Sequence, residues 1–157
     1  MFRPMRRKKQ QLTDAECLEL LREEKRGVLS VIGDDGYPYG IPHNHWYCEE
    51  DGRLYFHSGA DGHKIDAIRT SDKVSYCVYD SGHTEGDWAL HFRSVIVFGR
   101  VEIVTDHQKA LEISRKLSYQ FTSDDIYIEN EIRTSGPRVL VFSIKIEHMC
   151  GKRVVEK

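Results

Sequence analysis

The sequence has no apolar run near the roughly 18 to 20 residues a helix needs to cross a bilayer. Its first residues also lack the apolar core of a signal peptide. This reading places no part of the chain in a membrane and expects a cytoplasmic protein. Neither G-x-G-x-x-G nor a Walker sequence occurs, so the usual glycine-rich phosphate cradles are missing. Cysteine is scarce: Cys17, Cys48, Cys77 and Cys150 stand far apart with no C-x-x-C pair. That spacing signals neither a zinc knuckle nor a redox dithiol, and all four are read as reduced thiols. Charge of either sign is not in excess, since 23 Lys and Arg face 25 Asp and Glu. A formal charge of −2 gives no global attraction to nucleic acid. No internal repeat or low-complexity segment is present.

What remains is an ordinary globular composition, 39% hydrophobic and 31% charged, over 157 residues, a length that suits one domain spanning 1–157. Arg3, Arg6, Arg7, Lys8 and Lys9 crowd into the first nine residues before any periodicity starts. Residues 1–12 therefore read as a basic arm, a solvated tail, with contact to a phosphate as the other reading. Thr13 then opens T-D-A-E, a capping box with Glu16, and Cys17, Leu18, Leu20 and Leu21 give an apolar face. A helix is expected from Asp14 to Lys25.

Strand signals follow. Val28 to Ile32 ends at the Asp34-Asp35-Gly36 turn, and YPYGIPHNHWYC is a second extended stretch. Pro38 and Pro42 lack a backbone donor, so that stretch belongs at an edge or is irregular. After a turn at Glu49 to Gly52, RLYFHS forms a third strand. A short helix covers Asp61 to Thr70. Lys73 to Asp80 alternates as a fourth strand, with Val74, Tyr76 and Val78 on one face. Ser81 to Asp87 reads as a polar loop. A long strand is expected from Leu90 to Val104, a helix from Asp106 to Tyr119, and a sixth strand over VLVFSIKIEHM. Six strands with short connections and peripheral helices imply an α+β, mainly β, antiparallel barrel rather than a parallel sheet.

The richest segment chemically is YFHSGADGHKID, Tyr55 to Asp66. A strand ends at His57 and Ser58, a glycine-bearing loop turns, and His63 and Lys64 open a helix. A hydroxyl, an imidazole, an ammonium and free helix N-terminal amides aimed at one spot suit a phosphate. An ordinary strand-to-helix turn with surface His and Lys has the same spacing. In H-N-H, His43 and His45 could share one face of a strand and hold an ion, but no third ligand at a defined spacing accompanies them, so no metal is assigned. His83, His91, His107 and His148 belong to no motif.

DDGYPYGIPHNHWY, RLYFHSGADGHKIDAI, KVSYCVYD and FRSVIVFGRVEIV, in this order, resemble successive blocks of the pyridoxamine 5′-phosphate oxidase-like FMN-binding split barrels. Within that superfamily the basic arm and G-H-K-I-D are most similar to the 5-nitroimidazole resistance (nitroimidazole reductase) proteins. The resemblance implies a six-stranded split barrel, a homodimer and FMN at the subunit seam. It places the FMN phosphate at His63 and Lys64 with Ser58 nearby, and the flavin ring beside Ile41, Pro42, His43 and Asn44. Phe56 and His57 border the cavity, and Ser94 reaches the cofactor from the partner subunit. The oxidases have an Arg-Lys pair where His63-Lys64 stands, so the bidentate arginine fork is lost. Their C-terminal substrate signature is absent, which argues against pyridoxamine phosphate as substrate.

The function so implied is an FMN-dependent oxidoreductase of nitroreductase type, with NADH or NADPH as donor and a small oxidised acceptor. His57 is the candidate proton donor, with a plain hydrogen bond to the flavin or a backbone carbonyl as its other role. FAD in place of FMN, flavin binding or sensing without turnover, and a haem with His57 as axial ligand stay open as alternatives. Nucleic acid is not an expected partner.

Overall fold

The computed structural model describes residues 1–156. In chain order the elements are α1 (Asp14–Glu23), β1 (Arg26–Ile32), β2 (Pro38–Asn44), β3 (Trp46–Cys48), β4 (Arg53–Ser58), α2 (His63–Thr70), β5 (Lys73–Tyr79), β6 (His83–Thr84), β7 (Leu90–Ile103), α3 (His107–Tyr119), α4 (Asp125–Ser135) and β8 (Leu140–Glu156). The strands make one antiparallel sheet in the order β2-β1-β5-β7-β8-β4-β3, with β6 paired to β7. The barrel thus has eight strands, and the expected count of six is corrected.

Two of the extra strands have clear physical origins. YPYGIPHNHWYC is interrupted at His45, which is fully buried and donates its backbone N–H to the Lys25 carbonyl at 3.1 Å. The chain leaves one edge strand there and enters the other, so one residue links the two ends of the sheet. The sheet must curl to allow this. The second extra strand, β6, is two residues long, too short to carry an alternation signal. Further bending comes from a bulge in the β7–β8 pair, where Phe98 faces His148 and Gly99 faces Ile146, leaving Glu147 extra.

Strand alternation fills the barrel. Leu29 and Val31, Leu54 and Phe56, Tyr76 and Val78, Val95 and Val97, and Phe142 and Ile144 all point inward and are buried. Fully burying each large side chain contributes roughly 1.5–3 kcal/mol. Gly27, inside β1, lets Tyr76 cross the barrel, since a Cβ there would lie 2.4 Å from the Cys77 carbonyl oxygen and 2.8 Å from the Tyr76 ring. The capping box forms as read: Thr13 Oγ1 accepts from the Glu16 N–H at 3.3 Å, and the Glu16 carboxylate accepts from the Thr13 N–H at 2.8 Å. That helix ends at Glu23 and buries Cys17, Leu20 and Leu21 against the barrel.

A second cluster, Tyr55, Ala110, Ile113, Leu117 and Val141, covers the outer face of β4 and β8 with α3. Behind it lies α4, which the sequence reading did not place. The last strand runs to Glu156, beyond the expected Met149. The arm is docked rather than a free tail. Phe2 stacks on His148 with centroids 4.7 Å apart, Gln11 bridges Lys152, and the Leu12 N–H donates to the Gly151 carbonyl at 3.0 Å. Its five cations stay exposed. No described helix is long and apolar enough to cross a membrane.

Candidate functional site

Helix α2 brings Lys64 between β2 and β4. The Lys64 Nζ lies 2.9 Å from Nε2 of His43, whose Nδ1 lies 3.0 Å from the Asn44 carbonyl oxygen. A carbonyl only accepts, so Nδ1 carries the hydrogen and Nε2 turns its lone pair to the ammonium. His43 is therefore neutral. Burial first, then the Lys64 charge, lowers its pKa to about 4. Burial and the same ammonium lower that of His57, although the residue keeps an exposed surface. Lys64 is itself pushed down by burial.

No carboxylate pairs with Lys64 among the described residues. Nearby, α2 opens after Gly62, which offers no side-chain cap, and the N–H groups of His63 and Lys64 have no acceptor among the described residues. A partly buried cation on the first turn of a helix with open N-terminal amides suits an anion. A phosphate monoester fits that requirement.

Residues 13–153 match the family model described as pyridoxamine 5′-phosphate oxidase. The chain belongs to this family. A candidate 5-nitroimidazole antibiotic resistance protein from Bacteroides thetaiotaomicron has a similar solved structure, with TM-score 0.76 and 19% identity over 92% of this chain and 87% of that one. A conserved hypothetical protein from Mycobacterium tuberculosis aligns with TM-score 0.79 and 17% identity, covering 95% and 90% of the two chains. An FAD-binding protein from Mesorhizobium loti aligns with TM-score 0.66 and 26% identity, covering 92% and 96%. No curated protein matches the chain.

Set in the pyridoxamine 5′-phosphate oxidase fold, the candidate residues separate into groups. Lys64, His43 and His57 come together, and Ser58 follows His57 at the end of β4. His63 does not join them. Its ring stacks on Tyr39 with centroids 4.2 Å apart, and its Nε2 accepts the Asp34 N–H at 3.3 Å. Adjacent positions on a helix do not face the same way, which is why His63 and Lys64 diverge. Phe56 is fully buried, stacked on Phe142 and edge-on to His43, so its ring belongs to the core wall. Ile41 shares the inward face of β2 with His43, while Pro42 points outward. Asn44 accepts from Arg26 Nε at 2.7 Å through its side-chain oxygen. Ser94 pairs with Tyr79 and Lys152 on β7, which β1 and β5 separate from β2 in the sheet. Within one chain it stands apart from Lys64.

His43 and His45 share no ion. His45 Nε2 donates to the Leu21 carbonyl at 2.7 Å and its Nδ1 is 2.8 Å from the Tyr76 hydroxyl, which also lies 2.8 Å from the His43 carbonyl. The one phenolic proton serves one of these two acceptors. Burial lowers the His45 pKa to about 4 and raises that of Tyr76. His57, Ser58 and Gly59 also line a cleft of about 490 Å³ whose far wall is Tyr127, Glu131 and Arg138. The sequence reading missed that wall, because it assigned nothing to α4.

Proposed function

We propose that this chain is a flavin-dependent oxidoreductase that works as a homodimer, taking electrons from NADH or NADPH and passing them to a small oxidised acceptor. One observation carries the reading: Lys64 presents a partly buried ammonium, without a carboxylate partner, from the first turn of a helix whose first amides are unused. Lys64 and those amides would hold the phosphate of FMN, with Ser58 close by. Ile41, Pro42, His43 and Asn44 on β2 would border the ring, as would the backbone of Phe56. The bound flavin supplies the two-electron redox chemistry that no side chain here can provide.

His57 stands between that anchor and the 490 Å³ cleft, where an acceptor has room to sit. Alone, its lowered pKa keeps it neutral at pH 7, a hydrogen-bond donor and acceptor. An anion at Lys64 would cancel the smaller of the two causes that depress it, leaving burial, and so shift it part of the way back towards its ordinary range, which favours proton donation. Relatives of similar fold described as an FAD-binding protein, a flavocytochrome from Azotobacter vinelandii and an F420 reductase support a flavin-type cofactor.

Dimer formation is supported by the outer face of the barrel. Pro42, Val28, Cys77, Ile96 and Cys150 form an apolar row across five strands, and Ile96 and Phe98 are 40% and 38% exposed. A second copy covering this face would bury that row and bring its own Ser94 towards the first copy's cofactor.

The test is the absorbance spectrum of the purified protein, followed anaerobically on adding NADH and then NADPH. The proposal expects near-ultraviolet and blue flavin bands that one of the two bleaches. Bands that neither bleaches assign binding without turnover, and a Soret band lost on His57→Ala assigns haem instead. A colourless protein that takes up no added FMN overturns the reading.

A further inference from the structure

We infer that the β6–β7 hairpin carries a second, independent site, for a divalent first-row transition ion of the zinc type, held by His83, Glu85 and His91. Strand pairing sets His83 directly opposite His91, so both imidazoles lie on one face. Glu85 lies in the bend just past β6, with its carboxylate beside both rings. Their ligand atoms all lie within 4.8 Å of one another: His83 Nε2 is 3.2 Å and His91 Nδ1 is 3.8 Å from Glu85 Oε1. Donors around a tetrahedral zinc ion are about 3.4 Å apart, given zinc-to-ligand distances near 2.1 Å. Small ring rotations close the set on an ion.

The hairpin is held in this arrangement by the link that leads from β5 into β6. The Asp80 carboxylate accepts from the Gly82 and Arg93 N–H groups at 3.2 and 2.9 Å. Gly82 has φ +70° and packs so tightly that a Cβ would lie 2.7 Å from the His91 carbonyl oxygen.

Nearby cations do not compete for Glu85. Arg93 is taken by Asp80 and Glu23, and Arg153 by Glu16, while the ion partners of Glu85 are the two histidines. Two imidazoles and one carboxylate select zinc, cobalt, nickel or iron(II) over calcium or magnesium, which prefer all-oxygen sites. The set leaves one position open for water or an exogenous ligand, and the 420 Å³ cavity beside it gives that ligand room. Because β6 pairs over only two residues, the ion would also pin a hairpin otherwise weakly held.

The test uses full-length, untagged protein stripped with chelator, titrated with zinc chloride by calorimetry and with cobalt(II) by absorbance. Expected are one ion per chain with Kd below about 10 µM, cobalt bands of a nitrogen and oxygen donor set without thiolate charge transfer, and a rise in Tm with zinc. His83→Ala and His91→Ala should each weaken binding more than about 100-fold, since even outer-shell losses cost 10- to 100-fold. Circular dichroism of the metal-free variants should match wild type; if either alanine variant misfolds, Glu85→Gln serves the same comparison. The inference fails if wild type binds no zinc in this range, if binding survives both histidine changes, or if cobalt reports cysteine ligation. None of these readouts depends on flavin.

Discussion

Lowering the pH from 7 to 4.5 should cost this protein much of its stability, chiefly through two histidines. His43 and His45 both have pKa values brought down to about 4 in the folded chain by burial, against about 6.5 when unfolded. A basic group depressed on folding binds protons more readily when unfolded, so its stabilisation is present above pH 6.5 and is lost as pH falls towards 4. Linkage over this window gives about 2.5 kcal/mol per histidine, or about 5 kcal/mol for the pair. That is comparable with the whole stability of many small domains. Carboxylates such as Glu49, held low by Arg22, contribute mostly below this range. Urea denaturation at half-unit pH steps measures the slope. His45→Gln retains an N–H for the Leu21 carbonyl while removing the titration, so it should roughly halve the loss even if it lowers stability at pH 7. A wild-type unfolding free energy constant within about 1 kcal/mol from pH 7 to 4.5 would show that these rings are not dehydrated as described.

Other perturbations have equally direct readouts. Gly27→Ala must push a methyl into the Cys77 carbonyl and the Tyr76 ring, costing about 2 kcal/mol or more in thermal unfolding; an unchanged Tm would mean that β1 and β5 can part without penalty. Removing the α1 cap with Thr13→Ala should cost about 1 kcal/mol by the same assay. Lys64→Met, read by NMR titration of the imidazole protons without any ligand, should raise the pKa of both His43 and His57. No movement of either would separate Lys64 from the cluster.

Much of this architecture is readable in the chain wherever a local chemical rule acts alone. Thr13 with Glu16 fixes the start of α1, and the alternation of Val74, Tyr76 and Val78 marks β5 before any partner strand is known. The Asp34-Asp35-Gly36 turn appears where the chain reverses into β2. The reading fails where a tertiary contact decides. His45 looks like the middle of a strand, yet its burial against Leu21 and Tyr76 makes it the corner that joins the sheet's two edges. Helix α4 escapes because only Ile128 within Asp125–Ser135 is buried, leaving no apolar stripe to detect. His63 seems to share a task with Lys64 because they are neighbours in sequence, and only the helix geometry sends it to Tyr39. His83, Glu85 and His91 become a set only once the pairing of β6 with β7 is known.

The account turns on whether the ammonium of Lys64 and the first amides of α2 grip a phosphate, and comparing FMN with riboflavin isolates that one group. In a fluorescence-quenching titration FMN should bind at least about 10-fold more tightly than riboflavin, the effect of one charge-assisted contact of roughly 1.5–3 kcal/mol. Lys64→Met should shrink the difference markedly, leaving what the α2 amides supply, with riboflavin affinity nearly unchanged. Equal affinities for the two in the wild-type protein, or no binding of FMN at micromolar concentration, would contradict it.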